Sequence, residues 1–284
     1  MNSGDTKPTS SSDAAVAKQR GPDVDARPNP LNELLDQANL DSVAEAKRQG
    51  PSALPIIEGF LKHEDFRVRE LAVESAGAIG GAEVSATLAA GLDDSNINVR
   101  LAAARELARQ PYPGAARAVL ERIQTSPDET VREYLVEAAG FLPGEKTVAV
   151  LRPLAKATAS EKDFIGNSAI YALAKLKDSY GHEVVAKRLA SSASAYTRYQ
   201  ALERLCYVAD PTFASAAVRL LSDKTDAIRV GSVRRPQMRR VADAAVDALA
   251  CLMKLTLPFH QSDGAYTDHE LSLVRDLVRE HDTK

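Results

Sequence analysis

Tryptophan is absent from this chain of 284 residues, and aromatic side chains make up only 5% of it. A core without large flat rings is filled by small aliphatic groups, which suits close helix packing better than the faces of a sheet. Cysteine is nearly missing as well, with Cys206 and Cys251 the two in the sequence. Two isolated thiols make neither a disulfide framework nor a Cys-x-x-Cys metal knuckle, so both are expected as small buried apolar side chains within helices. No apolar run approaches the roughly 20 residues that span a bilayer. The stretch Ala14–Ala17 is too short for the core of a signal peptide, so a cytoplasmic location is expected. A nucleophile elbow, a phosphate-cradling loop and a dinucleotide fingerprint are missing too, and the sequence points to no catalysis and no cofactor. A net charge of −3 with 26% charged residues argues neither for nor against nucleic acid.

What the chain does contain is a repeat. Residues Asp65–Arg69 read Asp-Phe-Arg-Val-Arg, and a degraded copy returns about every 32 residues. Aligned on the valine, the copies start at Val68, Val99, Val131, Ile165, Thr197 and, after a longer gap, Val241. Four positions on stand Ala72, Ala103, Leu135, Ala169, Ala201 and Ala245; eight on stand Ala76, Leu107, Ala139, Leu173, Leu205 and Leu249. The positions eleven on are also apolar except at Gln110, and these offsets all fall on one stripe of an α-helix. Asp65, Asn96, Asp128 and Ser194 lie three residues before the aligned position, where an N-cap acceptor belongs.

Turn residues recur at matching points: Gly80-Gly81, Pro111–Gly114, Pro143-Gly144, Asp178–Gly181 and Asp210-Pro211. Each unit is therefore a first helix, a short turn and a second helix. The spacing predicts an all-α stacked array of about six or seven helix pairs rather than a closed globule. Residues 1–29, rich in Ser, Pro and charge, have almost nothing to bury and are expected to be a disordered tail. Residues 30–257 form the array, interrupted by a loop-like, Arg-rich insertion at 223–240. Residues 258–284 read as a loop and a capping helix, opened by the capping box Thr267-x-x-Glu270.

At Asp65–Arg69, Asn96–Arg100 and Asp128–Arg132 the sequence resembles the HEAT repeat, in the short bacterial form first associated with phycobilisome lyase subunits. The match continues through Ala76-Gly77-x-Ile79 and Ala139-Gly140-x-Leu142 and covers roughly residues 40–257. The resemblance implies an α-solenoid whose second helices line a concave binding face. It also implies that the motif's Asp and Arg, here Asp65, Arg69, Arg100, Asp128, Arg132 and Arg198, form a structural ladder between units. Gly166 and Ala242 stand where that Arg is missing. Fold alone does not set function in such a family.

Surface chemistry offers candidates. Arg234, Arg235, Arg239 and Arg240, with Arg229, crowd the insertion, and guanidinium forks suit carboxylates and phosphates. The competing reading is a solvated loop whose arginines pair with acids of neighbouring units. Arg152, Lys156, Lys187, Arg188 and Arg219 give the second helices a basic bias, although the helix macrodipole alone favours bases late in a helix. Three His-Glu dipeptides, at His63, His182 and His269, invite comparison with the di-iron repeats of deoxyhypusine hydroxylases. They occupy unlike helix positions, so no metal site is expected from them, and little more from the His260/Asp263/Asp268/His269 loop. A HEAT-like DNA glycosylase would want aromatic groups around a splayed nucleotide, and these are scarce on the second helices. The expected function is a non-catalytic protein-binding scaffold that presents a concave second-helix face and the Arg-rich insertion to an acidic protein partner. The alternatives are a lyase or chaperone-like subunit acting on a tetrapyrrole-bearing protein, and nucleic-acid binding through the basic face.

Overall fold

A computed structural model describes residues 29–158, 163–190, 192–232, 235–261 and 264–282. The tail expected at residues 1–29 lies outside them except for Asn29, whose side chain accepts from the Leu31 N–H and caps the first helix. That helix, α1 (Pro30–Asp36), covers the pair α2 (Asp41–Gln49) and α3 (Leu54–Phe60). The valine-aligned helices follow as α4 (Phe66–Ile79), α6 (Ile97–Arg109), α8 (Glu129–Ala139), α10 (Phe164–Lys175), α12 (Ala195–Val208) and α14 (Val241–Leu252). Between them stand the second helices α5 (Ser85–Gly91), α7 (Ala116–Thr125), α9 (Glu145–Ala157), α11 (Ser179–Arg188) and α13 (Ala214–Leu220). The chain is an all-α solenoid.

Local chemistry starts each unit. The Asp65 carboxylate accepts from the Arg67 N–H at 2.9 Å, the Asn96 side chain from the Asn98 N–H at 2.8 Å and the Ser194 hydroxyl from the Thr197 N–H at 3.0 Å. The aligned stripe then supplies the core: every residue four and eight positions beyond the aligned one is buried. At the aligned position itself the four valines are buried, while Ile165 and Thr197 are half-buried. Alanine on this stripe lets neighbouring first helices approach closely. Gly181 does the same within a unit, because a Cβ there would stand 2.5 Å from the Ala174 nitrogen.

The array bends, and its contacts show which way. Successive first helices pack against one another from α2 and α4 through to α12 and α14, and the second helices do not line up in this way. Moreover α8 and α12 touch each other across α10: the Tyr207 hydroxyl donates to the Glu137 carbonyl oxygen at 2.6 Å. Helices on either side of a third can meet only on the inside of a curve. The concave face is therefore made by the first helices, and the second helices, expected there, lie on the outer side.

Two further expectations are corrected. The insertion is not a loop but an antiparallel hairpin of β1 (Asp226–Ser232) and β2 (Arg235–Arg240), with Arg229 opposite Met238 and Gly231 opposite Pro236. Its sequence lacks an alternating apolar pattern because neither face is deeply buried, and Pro236 is tolerated because a two-stranded hairpin has only edges. Docking holds it: Ala227 and Ile228 pack on the core, and the Val241 and Ala242 N–H groups donate to the Thr225 and Asp223 carbonyl oxygens. The cysteines are not buried thiols either. Cys206 on α12 and Cys251 on α14 are exposed and joined in a disulfide, with their Cα atoms 5.6 Å apart. Their separation of 45 residues in sequence hides the fact that adjacent first helices carry them side by side.

Helix α15 (Asp268–Asp282) begins at the Thr267–Glu270 capping box, with the Thr267 N–H donating to the Glu270 carboxylate at 2.7 Å and the Glu270 N–H to the Thr267 hydroxyl at 3.2 Å. Leu271, Val274 and Val278 are buried on its apolar stripe.

Candidate functional site

The inner face is built from the first-helix positions two, six and ten beyond the aligned residue, which point away from the core stripe. On α8, α10 and α12 these positions include Glu133, Glu137 and Phe141, Tyr171 and Lys175, and Tyr199, Glu203 and Tyr207. Four of the chain's fourteen aromatic residues, Phe141, Tyr171, Tyr199 and Tyr207, stand at these positions. Phe141 and Tyr207 meet edge to face with centroids 5.9 Å apart, and Lys175 Nζ lies 4.4 Å from the Phe141 ring centre and 5.0 Å from that of Tyr207. The same ammonium donates to the Tyr207 carbonyl oxygen at 2.6 Å, and burial pulls its pKa below the usual lysine value. Burial likewise pushes the Tyr207 phenol up.

Beside this cluster, the Arg204 guanidinium lies between the rings of Tyr171 and Tyr207, 5.6 and 5.5 Å from their centres, and pairs with Glu137. Arg188 reaches in from α11 to donate to the Tyr171 hydroxyl at 3.1 Å and to Asn167. A cavity of about 190 Å³ lies among Glu133, Tyr171, Arg188, Glu203 and Arg204, with Phe164, 66% exposed, on its wall. Burial and the neighbouring Glu137 carboxylate raise the Glu133 pKa. Further along the array Glu70 is raised in the same way, by burial and then by Glu74. Among the described residues, Glu70, Glu133 and Glu203 are in no ion pair. Chemically this face can offer carboxylates and cation-backed aromatic rings to another molecule.

A second cavity, of about 710 Å³, opens between α12, α14 and the segment that follows α14. It is lined by Cys206, Cys251, Arg239 and Asp247 together with Leu255, Leu257, Phe259 and His260. Arg239 pairs with Asp247, which also accepts from the Tyr266 hydroxyl at 2.8 Å.

The residues singled out from the sequence are distributed as follows. Arg234 lies outside the described residues, and of Arg235 only the backbone is described. Arg239 and Arg240 do not form an open cationic surface. Arg239 pairs with Asp247, and Arg240 donates to the fully buried Asp243 at 2.8 Å and to the Tyr266 carbonyl oxygen at 2.5 Å. These contacts fasten the hairpin to α14 and to the segment before α15. On the outer helices Arg152 pairs with Asp178, and Lys187 with Glu183 at 2.6 Å. Lys156 and Arg219 are exposed, Lys156 lying 5.8 Å over the Tyr180 ring. The cationic residues are thus divided between internal contacts and separate outer helices.

The ladder residues make regular cross-unit links. Arg69 pairs with Asp94 at 2.7 Å, Arg100 with Asp128 at 2.6 Å and Arg198 with Asp223 at 2.7 Å. Each of these arginines also donates to carbonyl oxygens of the turn before its own helix, as Arg100 does to those of Asp94 and Ser95 at 2.8 and 2.9 Å. Asp128 thus serves Arg100 rather than capping α8, whereas Asp65 caps α4 and pairs with Arg67. Arg132 donates to the Ile123 carbonyl oxygen at 2.9 Å. Where Gly166 replaces the arginine, Arg152 and Asp178 bridge nearby units instead.

Among the described residues no group of three or more His, Cys, Asp or Glu stands close enough to hold a metal ion, and no helix is long and apolar enough to cross a membrane. Sequence reasoning missed the aromatic and cationic cluster of the inner face. Its signal was the tenth position of the repeat, which reads Phe141, Lys175, Tyr207 and Cys251 in consecutive units.

Comparison with known proteins agrees with this geometry. The family model for HEAT repeats matches residues 37–108 and 85–174. The fold is similar to a chain in the complex of CpcE and CpcF of phycocyanin lyase from Nostoc sp. PCC7120, with a TM-score of 0.53 and 18% identity over 96% of this chain and 100% of that one. At that identity the likeness concerns the fold alone. No curated protein matches the sequence. The recurring Val-Arg helices and the Arg–Asp links between units agree with the matched model, which identifies residues 37–174 as HEAT repeats.

Proposed function

We propose that this chain is a non-catalytic protein-binding module that holds its partner against the inner face of the first helices, around the cavity bounded by Glu133, Tyr171, Glu203 and Arg204. The observation that carries the reading is the fixation of this surface from within. Arg204 is held by Glu137 and two rings, Arg188 by Tyr171 and Asn167, and Lys175 by a carbonyl oxygen. A surface formed before binding has little ordering cost to recover on association. Phe164 and Tyr196, 66% and 43% exposed, give it apolar anchors at the helix starts. Glu133 and Glu203, the latter hydrogen-bonded to the Tyr199 phenol, are in no ion pair among the described residues and favour a partner that brings cationic side chains, in contrast to the acidic partner suggested by the arginine count.

The test is affinity capture from the native host with the wild-type chain and with a Phe164→Glu, Glu203→Lys double variant. Both positions are exposed, so folding is expected to be unchanged while a specific partner is lost. Retention of that partner by the double variant would remove the inner face from consideration. A second reading, a lyase-like subunit acting on a tetrapyrrole-bearing protein, is favoured by the fold likeness to the CpcE and CpcF complex. Mixing the purified chain with free bilin separates the two readings, since this second one requires a shift in the pigment's visible spectrum.

A further inference from the structure

The larger cavity has a feature that protein docking does not use. Cys206 and Cys251 are both exposed, are disulfide-bonded, and sit where adjacent first helices bring their ninth and tenth repeat positions together. Arg239 and His260 line the same cavity, and Leu255, Leu257 and Phe259 give it an apolar wall. We propose that this pair is a thiol–disulfide exchange site that takes small thiols and disulfides as its reaction partners.

Three observations lead there. First, α12 and α14 are already joined by a fully buried layer that includes Leu202, Leu205, Ala245 and Leu249, so the sulfur bridge lies at the edge of an interface that does not depend on it. Structural disulfides are shielded from reductants, whereas exposed ones are the labile and reactive ones. Second, the thiols need not move far to form or break the bond, because the two helices hold their Cα atoms 5.6 Å apart, within the usual range for a disulfide. Third, the cavity beside them, of about 710 Å³, is large enough for a small molecule. The Arg239 guanidinium is anchored by Asp247 and lies 5.9 Å from the Tyr199 ring centre. Asp247 lines the cavity as well, so this ion pair adds no net charge to it.

The chemistry balances without any further reagent. The thiolate of one cysteine attacks a sulfur of the small disulfide RS–SR. That S–S bond breaks, RS⁻ leaves and takes up a proton, and a protein–SR mixed disulfide remains. The second cysteine, as thiolate, attacks the protein sulfur of this mixed disulfide and expels the other RS⁻, which is also protonated. Two electrons and two protons pass from the protein dithiol to the small disulfide, giving two RSH. The reverse sequence reduces the protein with two small thiols.

The test uses the full chain, equilibrated in graded ratios of reduced to oxidised glutathione, with free thiols counted by mass spectrometry and helicity followed by circular dichroism. The two thiols are expected to appear and disappear together, at unchanged helicity. Cys206→Ser and Cys251→Ser are each expected to stop at the mixed disulfide with glutathione. A pair that resists reduction until the protein unfolds would overturn the proposal, as would loss of helicity on reduction or single variants that trap no mixed disulfide.

Discussion

The phenol of Tyr207 donates to the backbone carbonyl oxygen of Glu137, seventy residues earlier in the chain, at 2.6 Å. This contact spans two repeats and passes over α10, so it reports the curvature of the array as well as stabilising it. Tyr207→Phe keeps the ring against Phe141 and Lys175 but removes the donor. We expect a loss of about 1 kcal/mol in a denaturant titration, the usual worth of such a bond. Tyr207→Ala, which also removes the ring, is expected to cost about 3–5 kcal/mol. Equal stability of the wild type and the alanine variant would show that α8 and α12 do not meet.

The ladder predicts coupling between units. Arg100 and Asp128 are paired at 2.6 Å with only 19% and 17% of their side chains exposed, so truncating either leaves a poorly solvated charge. Arg100→Ala and Asp128→Ala are each expected to cost about 1–3 kcal/mol. In a double-mutant cycle the combined loss should fall well short of the sum, and strict additivity would mean that the pair does not link the repeats.

Asp94 gives the ladder a pH dependence. Burial alone would raise its pKa, but hydrogen bonds from Arg69 and from the Asn96 N–H outweigh this and hold the carboxyl below its usual value. A carboxyl with a depressed folded-state pKa stabilises the fold at pH values above its unfolded pKa. That contribution is lost as pH falls through the folded value. Melting temperatures measured downward from pH 5 should therefore fall less steeply in Asp94→Asn than in the wild type.

Glu133 carries the opposite sign. Burial and Glu137 raise its pKa, so the folded state binds its proton more tightly than the unfolded chain does. Its ionisation therefore weakens the fold increasingly as pH rises from the unfolded value of about 4.3 through the raised folded value. Glu133→Gln is expected to raise the melting temperature at pH 7 and to change it little at pH 4. The same variant should weaken a cationic partner. Increased stability with unchanged binding would place that partner away from the cavity.

The core stripe makes the bluntest prediction. Leu173 and Leu205 are fully buried between helices, and an aspartate at either would be an unpaired charge without water. Leu173→Asp or Leu205→Asp is expected to abolish cooperative melting and most of the helical signal. Native-like melting of either variant would contradict the register of the repeat.

By itself the sequence determined the repeat, and with it the helices, the caps at Asp65, Asn96 and Ser194 and the buried stripe, whereas the structure supplied Asp94 and Asp223 as the partners of Arg69 and Arg198. The helices, caps and stripe depend on separations of a few residues or of one repeat, so periodicity exposes them. Valine at 68, 99 and 131 and leucine at 173, 205 and 249 were enough to mark which side of each first helix faces the core. Only the tertiary structure decided which row of helices lies inside the bend, because curvature comes from small differences in packing distance summed over many units. It also decided that Arg239 and Arg240 turn inward onto Asp247 and Asp243, since a count of charges carries no direction. The same holds for Cys206 and Cys251. Nothing in their spacing brings them together, and they become partners because α12 and α14 lie side by side at the end of the stack.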